Sequence, residues 1–139
     1  MPCLLAIFGI SVFGLAQTSW AEKADPAISD TDIRRRIIGT WIADASSPNG
    51  AYMAAVVTFY TNATLAAKGV IIKGDRKEDI RYEGTWQVEH GTIIETVTRS
   101  NATWTPVGKI TRDTIISVDD NELVFKTEGG KTVTRKRRK

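Results

Sequence analysis

Residues 79–88 read DIRYEGTWQV, and their side chains alternate along the whole stretch. The even positions, from Ile80 to Val88, are apolar or small, and the odd positions are charged or polar. A period of two predicts a β-strand with one face turned to a core and the other to water. The same alternation recurs along most of the chain.

Seven further β-rich runs surround this strand, and the breaks between them are short and rich in Gly, Asn and Asp. The runs are 40–45, 52–60, 64–73, 92–99, 108–118, 122–127 and 131–137. Short turns make consecutive strands antiparallel neighbours, and a meander of eight strands removes its exposed edges by closing. The expected fold is therefore all-β, an eight-stranded antiparallel up-and-down barrel.

One short helix is expected before the first strand. Ser29 or Asp30 can cap its amino end, and apolar residues recur at helical spacing at Ile33 and Ile37. Gly39 then ends it. We expect this helix to lie across a barrel mouth or beside the first strand.

The first 21 residues carry no charged side chain and end in Ser19, Trp20 and Ala21, after which the chain becomes polar. This pattern predicts a signal peptide cleaved after Ala21, and so a periplasmic or secreted protein. Because a basic amino-terminal region is missing, an uncleaved anchor is the alternative. Residues 22–139 would form a single domain without a disulfide, since the one cysteine, Cys3, lies in the signal.

The formal charge of +3 depends on the tail. Residues 135–139 are all basic, so the remainder of the chain is mildly acidic. The tail predicts a weak attraction to an anionic surface or an acidic protein partner. The alternative is a solvated end that keeps the last strand from pairing with another edge. No nucleic-acid partner is expected.

The sequence contains few residues that could form a catalytic or metal-binding site. His90 is the only histidine and lies in a turn, without partners for a metal site or a triad. The acidic stretch 119–122 lacks the spacing of a calcium loop. The sequence contains no phosphate-binding loop or nucleophile elbow. We therefore expect no enzyme, no catalytic residue, no metal and no cofactor.

Four stretches together resemble a known family. They are GTW at 39–41, TFYTNAT at 58–64, YEGTW at 82–86 and DDNELVF at 119–125. In this order they are similar to the bacterial lipocalin-like domain, over roughly residues 37–137. The chain departs from the family at Ala63, where the family has a glycine, which puts the tightness of that hairpin in doubt.

The resemblance implies a structural role for Trp41. In lipocalins such a tryptophan plugs one end of the barrel and an arginine of the last strand covers it. Arg135 is the matching candidate, because it shares a strand face with Val133. Both residues would then contribute to stability rather than to ligand binding.

The period of two also projects a set of side chains into the barrel. The projected set is Trp41, Met53, Val57, Phe59, Leu65, Ile71, Ile80, Tyr82, Trp86, Val88, Ile116, Leu123 and Phe125. Small residues on the same faces, Ala55, Ala67, Gly69 and Gly84, favour a cavity over the alternative of a packed core.

The projection also places Arg112 inward. A buried guanidinium needs a partner, so it would reach a mouth, pair with Glu95 or meet an anionic ligand.

Two function classes remain open. The first is an exported lipocalin-like protein that binds a small apolar or amphipathic molecule inside the barrel. Its ligand-binding residues would be Phe59, Tyr82, Trp86, Arg112 and Phe125. The alternative is a protein-interaction module with a packed core and no small ligand, such as a secreted inhibitor, an immunity-type protein or an envelope assembly factor.

Overall fold

The computed structural model describes residues 28–139, so the predicted signal peptide and its cleavage after Ala21 lie outside the described residues. Within these residues, one helix and nine strands follow one another. They are α1 (Asp30–Ile37), β1 (Gly39–Ile42), β2 (Ala45–Ser46), β3 (Tyr52–Phe59), β4 (Thr64–Lys73), β5 (Arg76–Glu89), β6 (Thr92–Ser100), β7 (Ile110–Val118), β8 (Glu122–Lys126) and β9 (Thr132–Arg137).

The strands form a closed antiparallel barrel. Each strand from β3 to β9 pairs with the next one along the chain, and β1 closes the circle by pairing with both β3 and β9. The two-residue β2 pairs with β3 further along the same edge that β1 uses. The predicted eight-stranded meander is thereby confirmed, with the first predicted strand divided into β1 and β2.

Helix α1 closes one end of this barrel. The hydroxyl of Ser29 accepts a hydrogen bond from the Asp32 amide and caps the helix as expected. The Asp30 carboxylate accepts hydrogen bonds from the amides of His90 and Gly91, both at 2.8 Å, in the β5–β6 turn. These contacts fix α1 across the end where the chain turns between β5 and β6.

The main core lies directly beneath α1. Ile33 and Ile37 pack there against buried side chains of the barrel wall, among them Trp41, Phe59 and Trp86. A smaller buried group, Ala55, Ile80 and Ala102, lies apart from this core. The barrel is thus filled at the helix end, which we call the closed end. The opposite end, with the β6–β7 and β8–β9 connections, is the open end.

The glycines of the wall do not create interior space. A Cβ at Gly69 would run into the carbonyl oxygen of Ala54, and one at Gly84 would run into that of Thr96. Glycine is needed at both positions because neighbouring strands approach closely, and at Gly84 the β5–β6 register also shifts. The prediction that these glycines leave room for a ligand is therefore wrong.

Strand β7 presents the opposite face to the one predicted. Thr111, Asp113 and Ile115 face inward and are half-buried, whereas Ile116 is 55% exposed and Arg112 is also exposed. A bulge between Ile115 and Ser117 then changes the phase, so that Val118 is buried again at the closed end. The predicted inward positions of Arg112 and Ile116 are wrong. The other twelve projected side chains are buried or half-buried.

Candidate functional site

A cavity of about 350 Å³ lies at the open end of the barrel. Its wall comes from the β1–β2 segment and from β3, β7, β8 and β9. The inward-facing lining is Ala43, Met53, Thr111, Asp113, Phe125, Val133 and Arg135. At the rim the lining includes Asp44, Arg112 and the β8–β9 turn from Thr127 to Gly129. The strands therefore form a pocket at the end of the barrel away from α1.

The cavity has an apolar wall. Phe125 is buried, and it pairs across the sheet with Val133 of β9. Met53 lies on β3, which is separated from β9 by β1, and is half-buried. The Arg135 guanidinium lies over the Phe125 ring, 4.9 Å from its centroid, which is a cation–π distance. An apolar group in the cavity would contact these side chains.

Two carboxylates share the interior with Arg135. Asp113 lines the cavity, and Glu95 lies opposite Thr111, another lining residue, on the neighbouring strand β6. Glu95 is only 9% exposed. Burial raises the pKa of both carboxyl groups, and the positive charge of Arg135 opposes that rise. The interior at this level is therefore charged rather than purely apolar.

Tyr82 of β5 faces the same interior. Burial, together with the negative charge of Glu95, raises the pKa of its phenol to about 12. Its ring meets that of Trp104 edge to face, with centroids 6.3 Å apart. Trp104 belongs to the β6–β7 connection at the open end, so Tyr82 links the interior to the mouth.

The five predicted ligand-binding residues are not together. Phe125 lines the cavity and Tyr82 faces the interior near it. Phe59 and Trp86 pack against each other in the closed-end core, with ring centroids 5.5 Å apart. Arg112 reaches only the rim, where its side chain is 53% exposed and lies 3.8 Å from a Glu128 carboxylate oxygen.

The residue that covers Trp41 is Arg137 and not Arg135. The Arg137 guanidinium lies 4.2 Å from the centroid of the Trp41 ring system, and these two residues are register partners in β1 and β9. The Trp41 indole nitrogen donates to the carbonyl of Ile37, at 2.8 Å. Trp41 has no exposed surface, so it plugs the closed end as expected. The prediction that Arg135 covers it is wrong.

Sequence reasoning named Glu95 only as a possible partner of Arg112 and missed Asp113 and Arg135 as the interior charges near it. Glu95 alternates with Ile93 and Val97, and all three are buried on one face of β6. A single acid on an otherwise apolar face was the available signal. Asp113 carried no such signal, because its neighbour Arg112 makes both faces of β7 equally charged.

No protein-family model and no curated protein matches this chain. Within residues 28–139, no helix is long and apolar enough to cross a membrane. Over the same range, no group of three or more His, Cys, Asp or Glu side chains is arranged to hold a metal ion.

Proposed function

We propose that the protein is an exported, lipocalin-like carrier that binds a small amphipathic molecule in the open end of its barrel. The observation that carries this proposal is the cavity of about 350 Å³ opposite the closed end. Its volume falls within the range of small-molecule sites, about 300–1,000 Å³. Its wall combines apolar side chains with a few charged ones, as ligand pockets do.

Two further features support the lipocalin-like part of the proposal. An arginine of the last strand covers the tryptophan of the first strand, although it is Arg137 that does so. Helix α1 closes the same end of the barrel. Export is proposed from the uncharged apolar run of residues 1–21.

The carrier function is tested by titrating the protein with an environment-sensitive apolar dye. We expect one dye per barrel, with quenching of tryptophan fluorescence. Val133→Phe places a larger ring in the cavity and should weaken dye binding about tenfold or more, a loss of about 1.4 kcal/mol.

The matched control is Val124→Phe. Val124 lies on β8 beside Phe125 but on the opposite face of the strand, so this variant should bind the dye as the unchanged protein does. Thermal unfolding of both variants would verify that they fold. If no dye concentration gives saturable binding to the unchanged protein, the carrier proposal is wrong.

A second candidate is the protein-interaction module. The β6–β7 connection carries Trp104 and Val107 at the open end, and they are 42% and 63% exposed. Exposed aromatic side chains are common energetic centres of protein interfaces. This candidate requires a defined protein complex that Trp104→Ala disrupts, together with absence of dye binding by the barrel.

A further inference from the structure

The acidic groups of the barrel interior outnumber its basic groups at the level of the cavity. Glu95 and Asp113 carry two carboxylates, and Arg135 carries one guanidinium. The other inward-facing arginine of β9, Arg137, lies at the closed end over Trp41. Arg112 lies at the rim beside Glu128. With both acids ionised, the interior has one negative charge without a matching positive charge.

Within residues 28–139, the Glu95 carboxylate has no hydrogen-bond or ion-pair partner. Among residues 28–139, no ion pair involves Glu95, Asp113 or Arg135. Glu95 accepts no hydrogen bond from this part of the chain, although it is more than nine-tenths buried. Burying a carboxylate without a partner costs free energy, so such a group is rare unless something else satisfies it.

The Glu95 carboxylate borders open interior space. Within residues 28–139, Thr105 Oγ1 is the one fully enclosed side-chain oxygen or nitrogen that lacks a partner. The Glu95 oxygens also lack one, so they must retain contact with space that a water-sized group can enter. Glu95 is not itself among the lining residues of the cavity, but it lies opposite Thr111 on β7, and Thr111 and Asp113 both line the cavity.

We propose that the cavity selects a molecule with a small apolar body and a protonated amine, held by the carboxylates of Glu95 and Asp113. This inference rests on the proposed carrier function and names its ligand class. The apolar body contacts Met53, Phe125 and Val133. The ammonium group donates to the two carboxylates, and such charge-assisted hydrogen bonds are the strong ones.

An anionic head group fits this interior less well. It would meet two carboxylates and only one guanidinium, and that guanidinium already lies over Phe125. A neutral alcohol could donate one hydrogen bond but would leave the excess negative charge unbalanced. The expected order of affinity is therefore amine, then alcohol, then carboxylate.

The test uses three probes with one apolar body: phenylbutylamine, phenylbutanol and phenylbutyrate. Their binding to the protein is measured by isothermal titration calorimetry at neutral pH and moderate salt. We expect the amine to bind about tenfold or more tightly than the alcohol, the size expected for a charged hydrogen bond, and phenylbutyrate to bind most weakly.

Three variants locate the selectivity. Glu95→Gln and Asp113→Asn should each weaken amine binding about tenfold and alcohol binding much less, because the amide oxygen still accepts a hydrogen bond but carries no charge. Glu83→Gln is the matched control, because Glu83 is an exposed acid on the outer face of β5 and should affect neither probe.

The outcomes separate the two proposals. Equal binding of amine and alcohol, or tightest binding of phenylbutyrate, would overturn the amine inference and leave the carrier function standing. Loss of alcohol binding in Glu95→Gln, with the variant still folded, would also overturn it, because the carboxylate would then be shaping the cavity instead of recognising charge. Failure of all three probes and of the apolar dye would overturn both proposals.

Discussion

Arg137 connects three segments at the closed end through one side chain. Its guanidinium donates to the carbonyls of Asp120, Ile38 and Arg36, at 2.8, 2.9 and 2.6 Å. It also explains Gly39, because a Cβ at that position would collide with Arg137 Nη1. Gly39 has a φ of +133°, which disfavours other residues as well. In the first GTW triplet, Gly39 therefore leaves room for the Arg137 guanidinium, and Trp41 packs against it.

A double-mutant cycle tests this arrangement. Trp41→Ala should lower the free energy of unfolding by about 3–5 kcal/mol, because it empties a buried site. Arg137→Ala should cost less, about 2 kcal/mol, since its carbonyl partners lie partly in contact with water. Because the two side chains touch, their losses in the double mutant should fall short of the sum. Urea unfolding measures all three variants.

Arg135→Ala is the control in that cycle. Arg135 lies over Phe125, so its loss should add to the loss from Trp41→Ala. Additive losses for Arg137 and Trp41 would contradict the described contact.

The sequence predicted the role of Trp41 but assigned the wrong arginine to it. Arg135 and Arg137 lie on the same face of β9, so the pattern of the strand does not distinguish them. Only the β1–β9 register, Trp41 opposite Arg137, decides between them.

The bounds of the strands could be predicted from the sequence, but the face that β7 turns inward could not. β4 has the predicted bounds, and β5 differs mainly by beginning earlier, at Arg76. These strands alternate clearly because one of their faces is apolar. β7 carries isoleucine on both faces, and each face also has a charge, Arg112 on one and Asp113 on the other. Hydrophobic alternation cannot orient such a strand, and its bulge adds a change of phase that no local pattern shows.

The β3–β4 hairpin has a strained turn at Ala63. This residue has a φ of +64°, a left-handed conformation that costs a non-glycine residue about 1–2 kcal/mol. Its own amide and carbonyl are both hydrogen-bonded, so the turn is formed despite the strain. Alanine instead of glycine at position 63 therefore raises the energy of this hairpin but does not prevent it from forming.

Ala63→Gly should raise the free energy of unfolding by about 0.5–1 kcal/mol. The gain is smaller than the relieved strain because glycine also makes the unfolded chain more flexible. Ala66→Gly on the adjoining β4 is the control, and it should lower stability by about 0.5–1 kcal/mol because no left-handed conformation is relieved there. A thermal shift in the same direction for both variants would show that Ala63 is not strained.

Fewer charges of the C-terminal tail, residues 135–139, are accessible to a partner than the sequence suggests. Arg135 and Arg137 turn inward toward Phe125 and Trp41, and Lys136 lies 3.4 Å from a Glu122 carboxylate oxygen. Arg138 and Lys139 follow the last strand and are exposed. A weak attraction of this end to an anionic surface stays a prediction, and it now depends on fewer charges.

The whole barrel should respond to pH through its buried acid. The folded state holds the Glu95 pKa above its ordinary value of 4.5, chiefly through burial. Between that ordinary value and the raised one, the folded protein binds more protons than the unfolded chain. Stability should therefore decline as pH rises through this window and stay lower at neutral pH. The half-buried Asp113 acts in the same direction.

Glu95→Gln removes this decline, because glutamine does not titrate. The variant should be more stable than the unchanged protein at neutral pH, and this difference should disappear as pH falls below the ordinary pKa of 4.5. Asp119→Asn provides the contrast. Hydrogen bonds from the Asn121 and Glu122 amides lower the pKa of the Asp119 carboxyl, so its contribution is present at neutral pH and is lost as pH falls. Urea midpoints of ligand-free protein from pH 4 to pH 8 would measure both effects. A loss of stability in Glu95→Gln at neutral pH would mean that the protein itself satisfies this carboxylate, and the amine inference would then lose its basis.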